Sequence, residues 1–425
     1  MDSIEYSYPL KVSSNLRFLV DQRNNPFLLQ GDAPWSLIVG VSREDVEIYL
    51  ADRAKKRFNT LLVNLIEHKF CPIPPKNFYG EAPFTTPGDL STPNEKYFEH
   101  ADWVIQKAAQ YGIQILLCPI FLGVPNGNGT EGWYNELVAQ KKTTNCHEYG
   151  AYLGKRYAGI DNILWSLGAD RNPVGDALER MNLIALGIKE HDRRHLMTAQ
   201  CYPESSSTDV YSSGGWLDVN ATYSYGIIHR KMLADYNHSP TMPVFLIEST
   251  YEGEHNASQV QIRRQAYWSV LCGGFGHVFG NFSIWPLGVE FGNNAAWPPS
   301  TESWKSQLDK PGSVGMSHFG DFFRALPWHE LIPDQKHVLV NGGLGEFRGL
   351  DYLAAAVTSN SKTLVTYMPT ERTITVDLSK LAGGSKSANW FDPRTGETIH
   401  IGDFATSGVR EFAPPGPGDW AIIFR

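Results

Sequence analysis

The chain has 425 residues, 42% of them hydrophobic, and a net charge of −8 at pH 7. That length and apolar content suit a large barrel with a small second domain, and the acidic balance argues against nucleic acid and anionic membrane as partners. No apolar run reaches the roughly 18 residues of a membrane span.

The first six residues, Met-Asp-Ser-Ile-Glu-Tyr, carry neither the basic start nor the apolar centre of a signal peptide. The expected compartment is therefore the cytoplasm, with a mature secreted chain as the alternative. Sequons begin at Asn128, Asn220, Asn256 and Asn281. The last two fall in or near barrel segments, so they say little about secretion. The five cysteines are odd in number and lack metal-site spacing, which predicts buried free thiols and no metal or cofactor.

Taken in order, residues 16–20 and 26–30 flank a polar turn, and the second run leads into Gly31-Asp32-Ala33-Pro34-Trp35-Ser36. This is the first strand end with function-like residues. Asp32 can cap and Trp35 can pack, but together they suit a sugar site. Ser42 caps a helix over 43–56, with acids in its first turn and bases in its last. Residues 61–66 read as a second strand, followed by a long Pro-rich loop, 68–93. A helix over 94–111 leads to a strand over 113–119 and a Gly-rich loop, 121–133. A helix over 145–157 precedes Ile163-Leu164-Trp165-Ser166-Leu167-Gly168-Ala169-Asp170, a buried strand that stops at an acid. A helix over 176–191 and weak strands over 196–199 and 216–222 follow. The seventh strand, Val244-Phe245-Leu246-Ile247-Glu248, repeats the earlier design of an apolar run ending in a carboxylate. A helix over 258–272, a strand over 276–285 and a helix near 316–326 complete eight strand–helix units, the pattern of a (β/α)8 barrel.

Beyond Pro333 the helices disappear. Strand-like runs at 353–358, 363–368, 373–378 and 421–424, separated by turn residues, predict a small antiparallel β-sandwich. The expected domains are a barrel over 1–330 and a sandwich over 331–425.

Acids at the C-terminal mouths of barrel strands sit where such folds keep their chemistry. Asp170 can also be a turn cap, and Glu248 can be half of a salt bridge. One Asp and one Glu are together the pair that glycoside hydrolysis requires. Trp165, Tyr223, Tyr225 and Trp285 are candidates to shape a sugar pocket, although each alone also suits a core. Trp285 at the last strand's mouth is the best placed for stacking. Asp32, Asn64 and His277 can bind hydroxyls, with a buried structural role equally open to Asn64 and His277. Arg171 can pair with a carboxylate or stay solvated.

Three blocks exceed this generic pattern: Gly31–Ser36, Leu164–Asn172 and Glu248-Ser249-Thr250-Tyr251-Glu252. With them the chain resembles the apiosidase-like glycoside hydrolases, barrel enzymes allied to the large clan of retaining enzymes that includes many cellulases. Trp390-Phe391-Asp392-Pro393-Arg394-Thr395-Gly396 and Pro414-Pro415-Gly416-Pro417-Gly418-Asp419-Trp420 resemble the small β-domain, named for collagen binding, that is often fused to that barrel. The resemblance implies Asp170 as acid/base, Glu248 as nucleophile, retention of configuration, and an oligosaccharide or glycoside as partner. Ala169 departs from it, since Gly is the commoner residue there. The long loops after the second and third strands carry Phe70, Phe78, Tyr79, Phe84, Phe121 and Trp133, which can wall a pocket and favour exo-action. Three alternatives stand beside this reading: an endo-acting glucanase-like hydrolase, a non-catalytic carbohydrate-binding barrel, and a metallohydrolase, the last disfavoured by the scattered histidines.

Overall fold

A computed structural model describes residues 5–126, 129–287 and 302–425. Strand segments that are apolar on both faces need cover on both, and a helix after each strand supplies it. Among the described residues, eight parallel strands meet this demand: β1 (Leu29–Asp32), β2 (Thr60–Asn64), β3 (Gln114–Cys118), β4 (Ile163–Gly168), β5 (Met197–Gln200), β6 (Asn220–Tyr223), β7 (Val244–Glu248) and β8 (Gly276–Phe279). Each pairs in parallel with its neighbours in sequence, and β8 returns to β1 with Phe279 opposite Asp32.

The exception lies between β5 and β6, where a side chain stands in for part of the ladder. The Ser207 hydroxyl donates to the Ala199 carbonyl at 2.6 Å and accepts from the Ala221 amide at 2.9 Å. Next to it, the amides of Asp218 and Val219 donate to the Met197 carbonyl at 2.9 and 3.2 Å.

The covering helices are α1 (Arg43–Lys55), α2 (Glu95–Gln110), α3 (Thr144–Tyr157), α4 (Asp176–His191), α5 (Ser207–Tyr211), α6 (Ile228–Tyr236), α7 (Gln259–Leu271) and α8 (Pro311–Arg324). Ser42, Asn94 and Ser258 accept from the amides of Asp45, Lys96 and Gln261 and so start α1, α2 and α7, the first of these caps being the one expected from the sequence. The short α6 has no side-chain cap and is not legible in the sequence. The expected eighth strand over 276–285 stops early, at Phe279. Asn281 turns the chain: its side chain accepts from the Ser283 amide, and its carbonyl from those of Ile284 and Trp285. The loop after β3 folds into a ribbon of Pro125–Asn126 against Gly129–Thr130, and the sequon at Asn128 lies outside the described residues.

Two antiparallel sheets follow. β9 (Leu331–Pro333), β11 (Ala354–Thr358), β12 (Leu364–Met368), β17 (Trp420–Phe424), β14 (Ser385–Phe391) and β15 (Thr398–Ala405) form one, in that order. β10 (Val340–Gly342), β13 (Ile374–Asp377) and β16 (Val409–Phe412) form the other. β15 and β16 are rich in exposed positions, which hides them from a pattern search.

One apolar core runs from the barrel into the larger sheet. Tyr267 of α7 stacks on Tyr367 at 4.6 Å, and Phe322 of α8 packs on Phe391 at 4.5 Å. A polar clamp is set inside it. Arg263 of α7 makes two bonds to the fully buried Asp419, at 2.7 and 2.8 Å, and the Tyr367 hydroxyl donates to the same carboxylate. All five cysteines are buried and free. Among the described residues no helix is long and apolar enough to cross a membrane.

Candidate active site

The turn after β4 is strained. Gly168, Ala169 and Asp170 have φ of 85°, 93° and 57°, three left-handed residues in succession. Such backbone costs a non-glycine residue on the order of 1 kcal/mol, which is why glycine is the easier residue at Ala169. The Ala169 amide donates to the Gln200 carbonyl at 2.9 Å and ties the turn to β5. The result swings Asp170 out of the sheet and into a cavity at the C-terminal mouth of the barrel.

Glu248 enters the same cavity from the end of β7. One carboxylate oxygen accepts from the Tyr223 hydroxyl at 2.9 Å and the Tyr225 hydroxyl at 3.4 Å; the other accepts from the Gln200 amide at 2.6 Å. Burial pushes the Asp170 carboxyl up to about 7, with the charge of Glu131 adding to the effect and Tyr223 opposing it. Burial also pushes Glu248 up, followed by the charge of Asp170, while Tyr223 and Gln200 pull it back.

The cavity measures about 220 Å³. Aromatic faces form its walls: Trp35 against Phe121, and Phe70 edge-on to Trp285 with centroids 4.6 Å apart. Asn64 sits among them. The structure therefore brings together seven of the residues singled out in the sequence: Asp170, Glu248, Trp35, Asn64, Tyr223, Tyr225 and Trp285. Of the loop aromatics, Phe70 and Phe121 line the cavity. Phe84 and Trp133 are buried in the core, and Phe78 and Tyr79 lie half exposed.

Three other expected sugar contacts are not brought to it. Side chains alternate along a strand, so Leu164 enters the core inside the ring while Trp165 points to the helices and donates to Asp192 at 2.8 Å. His277 lies low in β8, fully enclosed, and burial pushes its imidazole down to about 3. Asp32 is wholly buried, holding Arg53 at 2.6 Å and accepting from Tyr49, while Arg53 reaches on to the Leu308 carbonyl and Ser313. Removing one charge of a buried pair strands the other. Asp32→Asn is expected to cost about 3 kcal/mol, seen as a lower midpoint in urea, while kcat of the folded fraction stays within a few-fold of wild type.

Groups that the sequence reading missed include Gln200, which bonds Glu248, and Glu131, Glu254 and His255, which line the cavity. Gln200 ends β5 as a polar residue after an apolar run, the signal that revealed the two acids. Glu131 and Glu254 lie on loops, and the turn at His255 and Asn256, with φ of 48° and 55°, has no sequence signature.

Residues 13–330 match the family model described as "Apiosidase-like, catalytic domain", three quarters of the chain. The chain belongs to the apiosidase-like family. It is a glycosidase, and glycoside hydrolases share its architecture from end to end. Residues 332–425 match the model described as "Putative collagen-binding domain of a collagenase". A solved structure titled "Glycoside hydrolase" is 26% identical, with a TM-score of 0.84 over 98% of this chain and 96% of its own. A glycoside hydrolase family 5 structure from Bacteroides vulgatus is 25% identical, with a TM-score of 0.85 over 98% and 93%. No match was found among curated proteins. In this apiosidase-like chain the signature block around Asp392 does structural work. Arg394 grips Asp392 through two nitrogens, at 2.7 and 2.8 Å, and donates to the Pro417 carbonyl beside Trp420.

Proposed function

We propose that this chain is a retaining, exo-acting glycoside hydrolase in which Glu248 is the nucleophile and Asp170 the acid/base. The observation that carries this reading is that Asp170, after β4, and Glu248, at the end of β7, line one buried cavity at the barrel mouth. Retaining enzymes hold the two carboxyl groups about 5–5.5 Å apart, whereas inverting enzymes leave about 6.5–9.5 Å for a water. The charge of Asp170 acts on Glu248 inside the buried cavity, and two acids coupled in this way share one proton. Tyr223, Tyr225 and Gln200 all donate to Glu248, which favours its charged form and leaves the proton on Asp170.

In the first step Glu248 attacks the anomeric carbon while Asp170 passes its proton to the leaving oxygen. The glycosyl–Glu248 ester forms as the glycosidic bond breaks. The Asp170 carboxylate then takes a proton from water, which attacks the anomeric carbon and frees Glu248. The small cavity, walled by Phe70 and Phe121 from the loops after β2 and β3, suits one terminal sugar rather than a passing chain.

The acid must be protonated, so kcat/KM is expected to fall as pH rises through about 7, the position set by burial of Asp170. A profile flat from pH 6 to 9 contradicts the assignment. Proton NMR of the first-formed product decides retention against inversion. A rapid viscosity drop with a ladder of oligosaccharides would replace exo-action with endo-action.

A further inference from the structure

The proposed mechanism uses two of the four carboxylates in the cavity. The others are Glu131, 5% exposed on the loop after β3, and Glu254, on the loop after β7. Asp170 lies near both: the charge of Glu131 acts on Asp170, and the charge of Asp170 acts on Glu254. No Lys or Arg lines the cavity among the described residues, and His255 is its one basic side chain. Lys69 approaches Glu131 at 3.9 Å without joining the lining. The Arg171 guanidinium lies over the Tyr134 ring, with its Nε bonded to the Gly123 carbonyl.

A second observation comes from Asn64, 2% exposed. Its Nδ2 donates to Glu67 Oε2 at 2.7 Å, while Glu67 Oε1 takes the amides of His68 and Lys69. This fixes which way the amide points. Its Oδ1 is buried without a hydrogen-bond partner among the described residues. A buried carbonyl oxygen left unpaired is costly unless a bound donor satisfies it. The cavity is thus ringed by acceptors, four of them ionisable to anions, and ionised carboxylates accept but do not donate.

We propose that this cavity is a neutral-sugar subsite in which Glu131, Glu254 and the Asn64 carbonyl accept hydrogen bonds from ring hydroxyls, and in which the same acids exclude uronic acids. The inference rests on the glycosidase reading above and names the class of ring that reading leaves open. A neutral ring brings several hydroxyl donors at no electrostatic cost. A uronate brings its own anion beside Glu248 and the ionised forms of Glu131 and Glu254, while Lys69, paired with Glu131, lies outside the lining.

The test compares rings that differ at one carbon. Isothermal titration of the Glu248→Gln protein with glucose and glucuronate, then with galactose and galacturonate, reads binding without turnover. At least one neutral ring is expected to bind, at least about 100-fold tighter than its uronate. Equal binding, tighter uronate binding, or no binding by either neutral ring overturns the subsite. In the active protein, Glu254→Gln and Glu131→Gln are expected to raise KM for a neutral aryl glycoside about 10-fold while changing kcat less. Both should also narrow the discrimination against the matching aryl uronide, and discrimination unchanged in both variants counts against their role. Inactivity toward every aryl glycoside would instead sink the glycosidase reading, leaving the titration to judge the subsite alone.

Discussion

Glu248→Gln is expected to lower kcat by about 10⁴-fold or more on every substrate, whatever its leaving group. The replacement keeps the shape of the side chain and its place at the end of β7, yet an amide cannot form the glycosyl ester. Asp170→Asn should behave differently. General acid help is worth about 10²–10⁴ where the leaving group is poor. A dinitrophenolate leaves without a proton, so on such a substrate the first step should survive, and the glycosyl ester should accumulate as a burst because no base remains to activate water. Pre-steady-state release of the phenol measures this directly. Equal residual activity of Asp170→Asn on aryl and alkyl glycosides would remove Asp170 from the acid role.

Removal of residues 332–425 is expected to leave a barrel that does not stay in solution. The larger sheet of the second domain covers α7 and α8, and its loss would expose Tyr267, Phe319 and Phe322 and strand Arg263 without Asp419. Asp419→Ala makes the same point in an intact chain. It leaves the Arg263 guanidinium buried and unpaired and should cost about 3–5 kcal/mol, read from the denaturation midpoint. The effect should reach the active site as well. The glutamines of α7 hold the loop after Glu248: Gln261 donates to the Thr250 hydroxyl, Gln265 to its carbonyl and Gln259 to Glu252. A soluble, fully active barrel truncated at 331 would show that the second domain is a passenger.

The strands that carry the two acids were legible in the sequence because each is an apolar run cut short by one charged residue, and burial of a charge at a strand end is rarely idle. Trp35, Tyr223 and Tyr225 were legible for the same reason, as polar or aromatic punctuation at strand mouths. Asp32 has that same signature but serves Arg53, a residue of α1 twenty-one positions on. Partners chosen by the fold leave no local trace. Trp165 and His277 show another limit. Their strand is visible, but which of its two faces looks into the ring depends on register, and register is set by the neighbouring strands. Glu131 and Glu254 sit on irregular loops where no periodicity marks a side chain as inward. The buried Asp419 was in plain view within its motif, yet only the packing of α7 on the larger sheet gives it a partner.

The Ser207 hydroxyl between β5 and β6 makes the ring a horseshoe closed by a clasp. Elsewhere each strand is joined to the next by a main-chain ladder, whereas here the two main-chain bonds onto Met197 are completed by one side chain small enough to enter the gap and able to donate and accept at once. This joint therefore asks for a particular side chain where the others ask for main chain alone. A lineage that lost this serine would have to find another way to shut the barrel, and the first place to look for opened or rebuilt relatives is between the fifth strand and the sixth.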